Sequence, residues 1–170
     1  EAIRAFLEQH GADFDPGLSD EDKATSRAFI RMAEEHIYFH MLHERWCDDR
    51  LWPHVRAAYF SSIPGLIRGF VTAQIRRPVI AGMRQHGIGR MSEEMRMERI
   101  EPDLQAIAAR LSGRAYLFGD APTAADASLA PMLASGAASP VPTRLSKRIG
   151  EDPVLRPYFE RVHAALGAGL

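Results

Sequence analysis

The stretch "MAEEHIYFHMLHERWC", residues 32–47, holds the chain's densest group of side chains able to do chemistry. His36, His40 and His43 stand at i, i+4 and i+7, with Cys47 at i+11. At roughly 100° per residue, these four fall within about 60° of one another on a helix. Glu44 is close by. One chemistry for such a stripe is a metal site, because histidines four apart can ligate zinc. No H-E-x-x-H motif accompanies it, and another helix would have to supply a ligand, so no metal is assigned. The other reading is a helix face turned toward a cleft or the core, where histidines stack and hydrogen-bond. Asp48 and Asp49 are expected to raise the Cys47 thiol, which argues against a nucleophile.

A second informative stretch is "YLFGDAPTAADAS", residues 116–128. Thr123 is a good N-cap, and the Asp126 carboxylate can reach back to the Thr123 N–H. This is a capping box with Asp in the place of the usual Glu or Gln. The following "ASLAPMLASGAA" is small and apolar all round, as a helix in the middle of a bundle is. A buried helix start has no water for its free N–H groups, so side chains must satisfy them. Thr123 and Asp126 are therefore structural and not catalytic.

The elements that must position these residues read as helices throughout. No stretch alternates as a strand does. A short helix over residues 1–10 stops at Gly11. Ser19, followed by Asp20, Glu21 and Asp22, starts a long helix running to about Cys47. Pro53 suits the first turn of the next one. Another helix runs through "LIRGFVTAQIRRPVIAGMRQ" with a kink expected at Pro78. Ser92 caps "EEMRMERIEPDLQAIAARL", which Pro102 should bend. "SGAASPVPT" reads as a loop and "DPVLRPYFERVHAAL" as the last helix. The spacing predicts an all-α bundle of about six to eight helices. Trp46 and Trp52 flank the acidic break "CDDRLWP" and are expected to anchor it by packing. Arg76 and Arg77 read as a solvated face, "GIGR" as a turn, and the seven methionines as gap-fillers in the core.

Composition narrows the function. The 170 residues suit one domain of ordinary size, and 46% apolar residues suffice for a core. A formal net charge of −1 gives no overall field for nucleic acid. One cysteine excludes a disulfide framework and points to a reducing cytoplasm. No apolar run reaches the ~18–20 residues of a membrane span. The first residue is Glu1 within a helical pattern, as expected of a chain cut from a longer polypeptide.

The capping stretch "YLFGDAPTAADASLAPML" resembles the segment that opens the central helix of the glutathione transferase C-terminal domain. "LSDEDKATSRAFIRMAEEHIYFHMLHERW" resembles that domain's first long helix, and "EDPVLRPYFERV" its final one. "GIGRMSEEMRMERIEPDLQAIAARL" resembles the branch that contains metaxins and failed-axon-connections-like proteins, which has bacterial members. The resemblance implies that residues 18–170 are the helical domain. Residues 1–17 would be the remnant of the last helix of a thioredoxin-like domain with its linker, the rest of that domain being absent. It also implies glutathione as co-substrate, bound mainly by the missing domain, which would carry the thiol-activating residue. The stretch alone would then be inactive. The helical domain would wall the site of a small hydrophobic electrophile, with His36, Tyr38, His40, Arg45 and Trp46 as candidate substrate contacts. These five do not share one face, and Tyr38 and Arg45 lie roughly opposite His36. The thioredoxin-like domain of the same polypeptide and a second copy in a homodimer are the implied protein partners. A non-catalytic scaffold on the same fold, like the metaxins, is the alternative.

Overall fold

The computed structural model describes residues 2–167. Its described residues form helices joined by turns, with no strand among them. In chain order these are α1 (Ala2–Gln9), α2 (Asp20–Arg31), a π-helical turn (Met32–Ile37), α3 (Tyr38–Cys47), α4 (Trp52–Tyr59), α5 (Gly65–His86), a 3₁₀ turn (Ile88–Arg90), α6 (Glu93–Arg110), α7 (Ala124–Ala137), α8 (Arg144–Gly150) and α9 (Leu155–Gly167). α2, the π turn and α3 follow without a break, so the described chain makes eight helical rods. The all-α bundle expected from the sequence is what is found.

Local chemistry sets the boundaries. Ser19 accepts from the Asp22 N–H at 3.1 Å, and three acidic residues in the first turn of α2 face the positive end of its dipole. Ser92 does the same for α6 through the Met95 N–H. Gly87 and Gly113 end α5 and α6 with φ of 104° and 71°, backbone conformations that glycine adopts without a Cβ clash. Pro78, Pro102 and Pro131 all lie inside helices, and α5 and α6 continue through the prolines expected to kink or bend them.

α7 is the centre of the bundle. It packs against α2, the π turn, α8 and α9. Leu129 and Leu133 on α7, Leu104 and Ile107 on α6, Ile37 in the π turn and Leu155 on α9 are wholly buried in one core. Gly136 lets α7 lie close to its neighbours, because a Cβ there would meet the Ile149 Cδ1 at 3.0 Å and the Met41 Sδ at 3.3 Å. The start of α7 is buried as expected. The Asp126 side chain, with 0% exposure, takes the Thr123 N–H and hydroxyl on one oxygen, each at 2.8 Å. Its other oxygen takes the Leu117 N–H at 2.9 Å and the Tyr158 hydroxyl at 3.0 Å.

A second buried carboxylate supports the same helix start. Asp15, in the connector after α1, takes the Ala124 N–H at 3.2 Å and pairs with Arg4 at 2.7 Å. It therefore ties α1 to the first turn of α7.

Two expectations need correction. "SGAASPVPT" is not all loop, because α7 continues to Ala137. α8 follows it, started by Thr143, whose hydroxyl takes the Ser146 N–H at 3.0 Å while the Ser146 hydroxyl takes the Thr143 N–H at 2.9 Å. The Arg76–Arg77 pair is only half solvated. Arg76 turns inward, donating to the Trp46 carbonyl at 2.7 Å and to Asp49 at 2.8 Å, with its guanidinium 4.8 Å from the Trp52 ring centre. It closes the C-terminal end of α3, where free carbonyls attract a cation.

Candidate functional site

The histidine stripe faces protein and not a cleft. His36 Nδ1 meets the Asp103 carboxylate on α6, and its Nε2 accepts from Arg99 at 3.1 Å. The ring hydrogen of that arrangement sits on Nδ1. His40, 2% exposed, lies between the His36 carbonyl at 3.0 Å and the Arg96 carbonyl at 3.1 Å. Burial lowers its pKa from the ordinary value. The two rings meet edge to face at 4.7 Å. Burial, with Arg96 and His40 nearby, lowers His43 to about 4, and its buried Nδ1 has no partner among the described residues. No three His, Cys, Asp or Glu side chains among the described residues are arranged to hold a metal ion. The Cys47 thiol is raised, but by burial, while Arg76, Arg96 and Arg84 pull it down. The aspartates expected to raise it are not the cause.

The other predicted contacts separate, and Tyr38 and Arg45, on nearly the same side of the helix, do not share one cleft. Tyr38 is 39% exposed and packs on Phe39. Trp46 meets Trp52 at 5.4 Å and Phe60 at 6.3 Å, a small aromatic cluster that anchors the break between α3 and α4. Of the five, Arg45 lines a substantial cleft. Its guanidinium donates to the Ser135 hydroxyl and, at 3.2 Å, to the Ser135 carbonyl near the end of α7.

That cleft, of about 580 Å³, lies between α3, α4 and the end of α7. Its volume is in the range that takes a small molecule. Met41, Leu51, Val55, Ala58, Gly136 and Pro140 give it a largely apolar wall. Arg45, Ser135, Ser139 and His54 supply its polar groups, and so does Glu44. The Glu44 Oε2 takes the Thr143 hydroxyl at 3.1 Å, and its other oxygen takes no hydrogen bond from the described residues. Burial raises the Glu44 carboxyl to about 7, with Asp48 and Glu93 adding to the rise and Thr143 and Arg96 opposing it. Sequence reading placed Glu44 only as a neighbour of the histidines. What sets it apart is the apolar cleft formed by α4 and α7, which come from distant parts of the chain.

Several known proteins resemble the chain. Residues 1–51 match the model of the glutathione S-transferase N-terminal domain, and residues 78–161 that of the glutathione S-transferase C-terminal domain. The first match corrects the expectation that the N-terminal domain is absent. Within that match the described residues form α1, α2, the π turn and α3, joined by a connector, with no strand. The isoprene-epoxide glutathione S-transferase of Rhodococcus sp. (strain AD45) is 30% identical over 169 residues, covering 94% of this chain and 68% of the relative. Metaxin-2 of Homo sapiens is 25% identical over 126 residues, covering 74% of this chain, and so is metaxin-2 of Mus musculus. The chain spans about half the length of these metaxins, 48% of each. No solved structure matches it.

Proposed function

The chain belongs to the glutathione S-transferase family, and from that premise we propose that it serves the conjugation of glutathione to a small apolar electrophile seated between α3, α4 and α7. The observation that carries this reading is the cleft itself. It is apolar, of small-molecule size, and bordered by Arg45, the one residue of the expected contact set that reaches it. The electrophile class comes from the relative whose name gives an isoprene epoxide as substrate. In that chemistry a thiolate attacks a ring carbon, and an apolar wall favours it by excluding water from the nucleophile and holding the two reactants together. Arg45 stands where its charge can orient an oxygen of the electrophile. His36, Tyr38, His40 and Trp46 then support the site from outside: the histidines fix α3 against α6, and Trp46 holds the turn into α4.

The test is adduct formation from glutathione and isoprene epoxide, followed by mass, using both this chain and the full reading frame that encodes it. Formation faster than in buffer supports the reading, and a rate equal to buffer with both proteins overturns it. The likeness to metaxin-2 favours a second reading, a non-catalytic scaffold on the same fold. That reading predicts the buffer rate.

A further inference from the structure

We propose that Glu44 is the acid that hydrogen-bonds, and then protonates, an ether or epoxide oxygen bound in the cleft between α3, α4 and α7. This rests on the conjugation reading for the protonation step, but the hydrogen bond to oxygen stands without it.

Three observations converge on Glu44. Glu44 is among the residues that line the cleft, together with the apolar Met41, Leu51 and Val55. One of its oxygens is held by the Thr143 hydroxyl at the start of α8, which fixes the group, while the other is without a partner among the described residues. The unpartnered oxygen is not sealed from solvent, so the oxygen of a ligand can replace water on it. The charges around it also favour the neutral form. Asp48, one turn further along, and Glu93, at the start of α6, repel a carboxylate, and burial outweighs the attraction of Arg96. Arg45 and His54 also line the cleft, and neither is among the neighbours that shift Glu44 most. A carboxyl that titrates near neutrality is suited to give up and regain a proton at working pH.

The step balances. The sulfur of the glutathione thiolate forms a bond to a ring carbon, and the ring carbon–oxygen bond breaks with its electron pair left on oxygen. That oxygen takes the proton of Glu44. The resulting carboxylate regains a proton from water, which replaces the one the thiol released when it ionised. The product is a thioether with a neighbouring hydroxyl. Without an acid, the leaving group would be an alkoxide in an apolar cleft, a poorly solvated charge.

The test uses tetrahydrofuran, a cyclic ether that a thiolate does not open. The whole chain is labelled with carbon-13 at the glutamate carboxyls, and Glu44 is identified by the signal lost in Glu44→Gln. The expected midpoint for Glu44 is about 7 without ether. Saturating ether should move it up by roughly half a pH unit or more, because the ether binds only the protonated form well. Glu44→Gln should keep ether affinity, since an amide N–H also donates, whereas Glu44→Met should weaken it roughly tenfold. In the conjugation assay Glu44→Gln should lose about 10²–10⁴ in kcat, the usual share of a general acid. If the ether perturbs cleft residues but leaves the Glu44 midpoint unmoved, the proposal falls and the cleft assignment stands. If it perturbs no cleft residue, the proposal falls as well. If the midpoint moves but the parent makes no adduct, the conjugation reading falls and the oxygen-binding role remains.

Discussion

Asp126 and Glu44 are both carboxylates drawn out of water, and their surroundings treat them in opposite ways. Asp126 sits at the start of α7 with four donors on its two oxygens, two of them main-chain N–H groups. Glu44 sits near the end of α3 with one donor, the Thr143 hydroxyl, and lines a largely apolar cleft. The first has every lone pair spoken for and nothing left to offer a ligand. The second is held but unsatisfied, which is the condition for binding or proton transfer. Burial alone therefore does not separate structural from chemical carboxylates. The count of donors around each oxygen does.

The largest effect that tests this contrast is on folding. Asp126→Ala should cost roughly 3–5 kcal/mol, because it strands the Tyr158 hydroxyl and the Leu117 and Thr123 N–H groups in a buried place. Urea unfolding measures it, and a loss below about 1 kcal/mol would remove the structural role given to Asp126. Glu44→Gln should behave differently, with an effect that depends on pH. The folded protein holds the Glu44 proton up to about 7 against an ordinary value of 4.5. Its contribution is thus fully present below 4.5 and lost as pH rises through 7. Removing it should make the variant gain about 2–3 kcal/mol on the parent between about pH 5 and about pH 8. A constant difference across that range would mean that Glu44 is solvated like a surface carboxylate. His43 acts in the opposite sense. Its folded value of about 4 lies below the ordinary 6.5, so its contribution is present above 6.5 and lost as pH falls toward 4. His40, also lowered by burial, acts in the same sense as His43, so the parent's pH dependence should be shallower than the variant's, in which Glu44 no longer opposes the histidines.

Smaller effects sharpen the contrast. Tyr158→Phe removes one of Asp126's four donors and should cost about 1 kcal/mol, with the rest of the cap intact. Burial, with the Asp126 carboxylate beside it, raises the Tyr158 hydroxyl well above its ordinary value, so no ionisation of Tyr158 should appear below the pH of alkaline unfolding. Ser92→Ala removes an exposed cap on α6, where water can replace the lost oxygen, and should cost about 1 kcal/mol or less by the same unfolding measurement.

The parts of this fold that could be read from sequence are those governed by near neighbours. Ser19 and Ser92 start helices three residues before the N–H groups they accept from, and Thr123 and Asp126 are equally close. What could not be read depends on distance along the chain. Asp15 supports the start of α7 from 109 positions away, and no local pattern marks it. Arg76 looked solvated because the α3 carbonyls and Trp52 that it covers lie in other segments. α8 was missed although it carries a local signal, the Thr143–Ser146 pair, because Ser is a weaker partner in such a box than Glu or Gln. In the candidate site, Arg45 was found as a member of a helix that the family resemblance marked out. Glu44, on the same turn, was passed over, because only the fold shows that α4 and α7 build an apolar cleft around it. The histidines drew attention by spacing, and their partners turned out to be Asp103, Arg99 and a main-chain carbonyl of α6.

The most direct measurement is the carbon-13 titration of the Glu44 carboxyl in the free protein. The expected midpoint is near 7, set by burial and by the neighbouring Asp48 and Glu93. A midpoint near the ordinary 4.5 would show a hydrated carboxylate and would contradict the cleft's role as a site for chemistry.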